Sequence, residues 1–259
     1  MINRVLREWI PGIFITLVAI AIWQWAVPLF KIPTYILPTP SIILKDLLGS
    51  VPLLAKHSWV TLQEIIWGFL IGDAIGILIA IIISQWTFAE RSLYPLIIFF
   101  QNVPKIAIAP IFVLWFGYGQ LPKIVVAVVI SFFPVVVNTF YGLKAVDPNL
   151  LDLARSVSAT KYQILTKIQL PNALPHMFQG FKIAITFSVI GAIVGEWVGS
   201  DTGLGFLILL SSSQLETARL FSAIVVISLI GVALFYLISG IERLLIPWQD
   251  TTDRMTQTM

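Results

Sequence analysis

Five polar residues lie within stretches of the chain that are otherwise apolar enough to cross a membrane: Asp73, Gln101, Asn102, Lys105 and Glu196. An unpaired ammonium near the middle of a span costs at least about 2.5 to 3.5 kcal/mol. Lys105 should therefore face water, a carboxylate or a backbone carbonyl freed by a break in its helix. Side chains of this kind can line a path for a polar or anionic solute, so these five are the candidates for a pore.

Each charged member of this set also has a structural interpretation. Lys105 can form an ion pair that holds the helices together, with Asp73 as its partner. Asp73 adjoins a stripe of glycines, which favours a structural role. Glu196 lies near the end of its stretch, where it can belong to a gate or be a hydrogen-bonded carboxylate at the membrane interface. The sequence leaves these alternatives open.

Other kinds of chemistry find little support in the composition. The chain has no cysteine, which removes disulfides, thiolate nucleophiles and cysteine-based metal sites. Its two histidines, His57 and His176, are too isolated to predict a metal site. No paired carboxylates, G-x-S-x-G or H-E-x-x-H are found, and no phosphate-binding G-x-x-x-x-G-K-[ST] loop. We therefore predict no catalytic residue, no metal and no nucleotide site in this chain, and the net charge of +3 predicts no nucleic-acid partner.

The composition indicates an integral membrane protein. Hydrophobic residues make up 58% of the chain, charged residues only 11%, and the mean hydropathy is +0.94. Soluble domains carry about a quarter charged residues. The apolar residues form long runs rather than the alternating pattern of a membrane barrel. The predicted fold class is all-α, a polytopic bundle of about six transmembrane helices.

The chain can be divided into six predicted spans. The second contains Gly68, Gly72 and Gly76 on one face, which predicts close approach of another helix. The third is interrupted by polar residues and prolines, and we expect it to face the bundle interior. The spans are Trp9–Val27, Trp59–Trp86, Leu93–Trp115, Leu121–Gly142, Ile183–Val198 and Leu220–Ile241, with loops between the last two.

The distribution of lysine and arginine predicts the orientation. With the N-terminus inside, the inner segments carry roughly twice as many cations as the outer ones. This places both termini, and the polar segment of residues 143–180, in the cytoplasm.

That polar segment contains a short ordered pattern, Asp152–Pro171. Charged and apolar residues alternate at helical spacing, which predicts an amphipathic helix. A turn is expected at Leu170-Pro171 and a second break at Leu174-Pro175. On charge pattern alone the segment could be an ordinary cytoplasmic loop.

The order of residues in this segment resembles the signature of inner-membrane permeases of binding-protein-dependent ABC importers. That signature is E-A-A, three residues, G, nine residues and I-x-L-P. Asp152, Leu153 and Ala154 occupy the first three places and Ser158 the glycine place. Ile168, Leu170 and Pro171 match in register. Leu153 and Ser158 depart from the pattern, and the resemblance implies that the helix bends at Ser158.

The resemblance covers most of the chain from Trp59 onward and is closest to the nitrate, sulfonate, taurine and bicarbonate branch. Asn102–Ala107, Leu114–Gly117, Gly195–Trp197 and Gly203–Gly205 are similar to segments of that branch. The GEWVGSDTGLG stretch is somewhat more similar to permeases for thiamine-pyrimidine precursors or riboflavin than to those for nitrate.

The resemblance implies a type I importer fold and a set of partners. It implies a dimer of permease chains, two cytoplasmic ABC ATPase subunits that hydrolyse ATP with Mg, and an extracytoplasmic solute-binding protein that Glu196 could contact. We expect one permease domain, residues 1–259 with its core in residues 57–243, in a prokaryotic inner membrane. The coupling helix is predicted near Ser158–Thr166, and the ATPase-coupling residues are Asp152, Leu153, Ala154, Arg155, Ser158, Ala159, Thr160, Ile168, Leu170 and Pro171.

Two other classes of protein compete with this interpretation. An autonomous secondary transporter or channel would need matching halves or a proton relay, and the two halves of the chain are unlike each other. A membrane enzyme would need a catalytic motif, which the sequence lacks.

Overall fold

The computed structural model describes residues 2–247, with side chains described from Ile10 onward. The end of the polar tail predicted after Arg243 lies outside the described residues. All regular elements in the described part are helical. They are α1 (Ile2–Leu29), α2 (Pro40–Gly49), α3 (Val51–Gln85), α4 (Thr87–Gln101), α5 (Lys105–Phe116), α6 (Gln120–Lys144), α7 (Pro148–Ser156), α8 (Lys161–Ile164), α9 (Leu170–Gly199), α10 (Leu204–Ser213) and α11 (Thr217–Leu245), with a π-helical turn (Leu165–Gln169) joining α8 to α9.

The helix lengths agree with the predicted number of spans. Five helices are long and apolar enough to cross a membrane: α1, α3, α6, the continuous α8–α9 helix and α11. The pair α4 and α5 makes a sixth span if it is counted as one broken helix. The prediction of an all-helical polytopic fold is confirmed.

The glycine stripe of α3 allows close packing against α6. A Cβ atom on Gly72 would lie 2.5 Å from Ser131 Oγ, and one on Gly76 would lie 3.0 Å from Val135 Cβ. Residue numbers rise in the same direction on both helices, from Gly72 at Ser131 to Gly76 at Val135, so α3 and α6 run parallel. The predicted close approach is confirmed, and a larger residue at either glycine would push the helices apart.

Helix α9 packs on α6 in the antiparallel direction, again through glycines. A Cβ on Gly191 would lie 2.6 Å from Ala127 Cα, and one on Gly195 would lie 2.8 Å from Lys123 Cα. Helix α6 is therefore held between α3 and α9. The bundle has two ends: the α10 end, where α3 and α6 begin and α9 finishes, and the α7 end, where α3 and α6 finish and α8 begins.

The predicted third span, Leu93–Trp115, is two helices rather than one. The chain breaks at residues 102–104, and α4 and α5 meet at 96°. The expectation that this span faces the bundle interior is wrong for the single chain, because Gln101, Asn102 and Pro104 are exposed. Pro104 causes the break because it has no N–H for the helical hydrogen bond.

The polar segment folds differently from the prediction. The predicted helix over Ser158–Thr166 is helical only from Lys161, where α8 begins, and the preceding helix α7 ends at Ser156. The turn lies between them, where Ser158 has φ of 60°. The helix does not end at Leu170-Pro171 or at Leu174-Pro175. Lys161–Gly199 is a continuous helix of 39 residues.

A π-helical turn explains how this helix continues through Pro171. In that turn Leu170 N–H donates to Leu165 O, one residue further back than in an α-helix. The wider turn accommodates the proline ring without ending the helix. The fifth span is therefore much longer than the predicted Ile183–Val198. The predicted loop after it contains a further apolar helix, α10.

Replacing Ser158 by glycine is expected to raise the free energy of unfolding by about 1 kcal/mol, because a left-handed backbone costs an L-residue roughly that much. Thermal or denaturant unfolding of the purified protein measures it. Ser158→Val is the matched control, since a β-branched residue at positive φ should lower stability. Equal stabilities of the three proteins would contradict this account of the turn.

Candidate functional site

The break between α4 and α5 holds three of the pore candidates. Lys105 Nζ donates to Gln101 O at 2.6 Å and lies 4.5 Å from the centre of the Phe133 ring. Asn102 Nδ2 donates to Ile98 O at 2.8 Å. These side chains satisfy backbone carbonyls that the break has freed, as was predicted for Lys105.

Asp73 lies in different surroundings from the α4–α5 break. It is buried in α3, and its Oδ1 atom has no hydrogen-bond partner within the described residues. The alternative ion pair between Lys105 and Asp73 is wrong, since no ion pair of the described part contains either residue. Lys105 instead binds the carbonyl that lies one turn back on its own chain.

Glu196, the fifth candidate, binds the N-terminus of α10. Its carboxylate accepts hydrogen bonds from Gly205 N–H and, at 3.3 Å, from Phe206 N–H. Thr61 Oγ1 donates to it at 2.6 Å. A carboxylate at this place is favourable because the first amides of a helix have no partner within the helix. The interpretation of Glu196 as a hydrogen-bonded carboxylate fits this geometry.

Thr61 and a second side chain of α3, His57, accept the other amide hydrogens at the start of α10. Leu204 N–H donates to Thr61 Oγ1 at 2.8 Å, and Gly203 N–H donates to His57 Nδ1 at 2.9 Å. All four amides at the start of α10 are thereby satisfied by α3 and α9. His57 is buried in α3 and holds the loop between α9 and α10 through Gly203. No cluster of residues suited to a metal ion is found in the described part of the chain.

A buried ion pair adjoins Glu196 and was missed by the sequence analysis. Lys123 Nζ lies 2.6 Å from Glu64 Oε1, and their side chains are 3% and 0% exposed. The carboxyl group of Glu64 neighbours that of Glu196, so a second buried acid lies close to this ion pair. Lys123 Nζ also donates to Ser200 Oγ at 2.9 Å. Both residues lie inside predicted spans, and the cost of burying a charge could have identified them.

Replacing Gly203 by alanine is expected to lower the free energy of unfolding by about 2 kcal/mol or more. Gly203 has φ of 108°, and a Cβ atom there would overlap the Glu196 carboxylate. Thermal unfolding in detergent or nanodiscs measures the change. Gly240→Ala is the control, since a Cβ on Gly240 in α11 meets open space and should be neutral or stabilising. Similar losses from both substitutions would contradict the role of this glycine.

The α7 end presents an exposed surface that combines apolar and charged side chains. Leu153 is 62% exposed, Val157 72% and Tyr162 75%. Asp152 and Arg155 form an exposed ion pair at 3.0 Å beside them. Helix α7 is thus amphipathic, with an apolar surface that the described part of the chain does not cover. We call these five residues the α7 surface.

Local capping explains the shape of this segment. Asp147 accepts a hydrogen bond from Asn149 N–H at 2.9 Å and begins α7. Thr160 and Gln163 form a capping box that begins α8. Ser158 and Ala159 form the turn between the two helices.

Besides Ser158, Ala159 and Thr160, which lie between α7 and α8, the residues predicted for ATPase coupling fall into two groups. Asp152, Leu153 and Arg155 are exposed on α7, while Ala154 is buried. Ile168, Leu170 and Pro171 belong to the long helix behind it. Leu170 packs on the buried cluster of Leu143, Ala173 and Met177, and so anchors this helix to α6. The first group forms a surface, and the second supports it.

The fold and these two ends define a polytopic helical membrane protein of the permease type. A family model described as "binding-protein-dependent transport system inner membrane component" matches residues 72–250. The chain belongs to this family and is the membrane-spanning permease of an ABC importer.

Curated relatives agree with this assignment. The chain is 36% identical over 234 residues to the formylaminopyrimidine transport permease protein ThiX of Halalkalibacterium halodurans, with 90% of this chain and 93% of the relative covered. It is 31% identical over 246 residues to the aliphatic sulfonates transport permease protein SsuC of Bacillus subtilis, with 94% and 89% covered. The predicted branch of the family is confirmed.

Solved structures show the same fold. The inward-facing MetNI methionine ABC transporter gives a TM-score of 0.67 at 20% identity, over 76% of this chain and 98% of that chain. At this level of identity the likeness concerns the fold alone, and it confirms the type I importer architecture.

Proposed function

We propose that two copies of this chain together form the translocation pathway of an ATP-driven importer for a small polar solute. The α4–α5 break supports the pairing. Irregular backbone at membrane depth is tolerated only where protein covers it or water reaches it. Gln101 and Asn102 are exposed there in the single chain, with Lys105 half-buried. A second copy against this break would cover the backbone and leave these side chains along a shared pathway.

The α7 surface is the observation that carries the ATP-driven part of the proposal. An exposed apolar patch with a charged rim, held on a short capped helix, is suited to a protein interface. We propose that each permease chain docks one cytoplasmic ABC ATPase subunit here. ATP and Mg bind to those partners, and this chain acts as a transport subunit and not as an enzyme. The coupling helix in this proposal is α7 with the turn that follows it.

The distribution of cations supports the orientation in this proposal. Lys144, Arg155, Lys161 and Lys167 lie on α7 or on the helix ends near it. Cytoplasmic segments of membrane proteins are enriched in such residues. The α7 end would then face the cytoplasm together with both termini, and the α10 end would face the extracytoplasmic binding protein. Residues 1–259 would act as one permease domain.

The names of the relatives suggest the class of solute. ThiX is named for formylaminopyrimidine and SsuC for aliphatic sulfonates, and both are small polar molecules. We favour a thiamine-pyrimidine precursor, because ThiX is the more similar of these two relatives. Riboflavin is the second choice, from the resemblance of the GEWVGSDTGLG stretch. Sulfonate, taurine or nitrate are the other candidates.

Reconstitution in proteoliposomes tests the proposed function. The chain is purified with the ATPase and binding protein encoded beside it, and solute uptake is followed with and without ATP. We expect uptake only with ATP, and ATPase activity that rises when the loaded binding protein is added. Uptake by the chain alone without ATP would instead identify an autonomous transporter or channel and would overturn the proposal.

A further inference from the structure

A cavity of about 560 Å³ opens at the α10 end, between the α5–α6 turn and the end of α9. The rings of Tyr118 and Trp197 line it, with Ser200 and Asp201 as further polar groups and Lys123 at its buried side. Its volume lies in the range of sites that bind small molecules, about 300 to 1,000 Å³. The site described above accounts for Lys123 and Ser200, but it leaves the two aromatic rings and Asp201 without a role.

The aromatic residues of this cavity are free to contact a ligand. Tyr118 is 86% exposed and Trp197 is 47% exposed. Neither ring pairs with another aromatic ring in the part of the chain that the structure describes. Gly199 lies against the Tyr118 ring, since a Cβ atom there would lie 3.5 Å from Tyr118 Cδ1. Aromatic faces of this kind stack on planar heterocycles.

The charges around the cavity select against anions. The ammonium group of Lys123 is offset by Glu64 at 2.6 Å and bound to Ser200 Oγ at 2.9 Å. Asp201 is exposed and makes no ion pair with any described residue. The carboxylate of Asp201 therefore adds a negative charge to the cavity lining that no described cation pairs with. A carboxylate without a cation favours a neutral or cationic ligand that donates N–H groups, and it repels a sulfonate or nitrate.

We propose that this cavity binds an amino-substituted planar heterocycle of the pyrimidine type as the solute enters the permease. Tyr118 and Trp197 contact the faces of the ring, and Asp201 accepts hydrogen bonds from its amino group. This inference rests on the proposed function and narrows its solute class: a pyrimidine is accepted, and an aliphatic sulfonate is rejected.

Equilibrium binding to the full chain in nanodiscs tests the proposal, with formylaminopyrimidine and methanesulfonate as the probes. We expect saturable binding of formylaminopyrimidine that methanesulfonate does not displace. Trp197→Ala and Tyr118→Ala should each weaken binding about tenfold or more. Trp197→Phe and Tyr118→Phe, which keep a ring, should lose much less.

Asp201 gives an independent variant for the same assay. Asp201→Asn should weaken formylaminopyrimidine binding, and Asp201→Lys should allow methanesulfonate to bind. Unfolding temperatures close to that of the unmodified protein would show that these exposed substitutions leave the fold intact.

Three results would overturn the cavity proposal: no saturable binding of formylaminopyrimidine at millimolar concentration, equal binding by the alanine variants, or displacement by methanesulfonate. ATP-dependent uptake by the complete transporter, measured as above, separates this failure from failure of the proposed function. If uptake is unchanged in Trp197→Ala and Asp201→Asn, the solute does not use the cavity during transport. The proposed ATP-driven function would not be affected by that result.

Discussion

Replacing Lys123 by methionine is expected to lower the free energy of unfolding by about 3 to 5 kcal/mol. The substitution keeps a long apolar side chain but removes the cation that lies 2.6 Å from Glu64 Oε1. Glu64 is then left fully buried, beside the second carboxyl group of Glu196. An uncompensated buried charge is among the most destabilising changes that a single substitution can make. Chemical or thermal unfolding in detergent measures the loss.

A second lysine–glutamate ion pair with the same N–O distance supplies a matched control. Lys144 Nζ also lies 2.6 Å from a glutamate oxygen, that of Glu90, but their side chains are 40% and 34% exposed. Lys144→Met should cost about 1 kcal/mol or less, because water stabilises the remaining carboxylate. The double substitution Lys123→Met with Glu64→Gln should recover much of the loss. Equal losses at the two lysines would contradict the importance of burial.

Replacing Leu153 by aspartate is expected to weaken docking of the ATPase partner. A charged side chain in the centre of an apolar contact should weaken binding by about 30-fold, which corresponds to about 2 kcal/mol for a strongly contributing interface residue. ATP-dependent uptake should fall accordingly. Co-purification of the ATPase with the permease, and uptake in proteoliposomes, measure the two effects.

The controls for this substitution separate docking from folding. Leu153 is largely exposed, so the unfolding temperature of Leu153→Asp should stay close to that of the unmodified protein. Leu153→Met keeps the surface apolar and should retain docking. Normal ATPase binding by Leu153→Asp would exclude this surface as the docking site.

The sequence predicted local features well where a single physical rule governs them. Apolar length predicted the spans, and the spacing of Gly68, Gly72 and Gly76 predicted the close contact of α3 with α6. The cost of an isolated charge predicted that Lys105 would face water, a carboxylate or a freed carbonyl, and it binds the last of these, Gln101 O. Residue order predicts the segment Asp152–Pro171 and its bend at Ser158, where the structure has a turn, but the second predicted turn, at Leu170-Pro171, is absent.

The absence of a turn at Leu170-Pro171 has a definite physical cause. Proline ends a helix when the missing hydrogen bond and the ring clash are not relieved. Here the π-helical turn at Leu165–Gln169 relieves them, and Leu170 is held by its packing on Leu143, Ala173 and Met177. Packing of this kind depends on residues distant in the chain, so local rules could not have found it.

The sequence by itself determined that this protein is a helical membrane permease with a polar segment between its fourth and fifth spans, because apolar length and residue order are properties of the chain alone. The tertiary structure decided which charges meet. It joined Glu64 to Lys123, placed Glu196 at the start of α10, and left Asp73 apart from Lys105. Such pairings require side chains from three helices to converge at one level of the bundle, and their spacing along the chain does not encode that convergence.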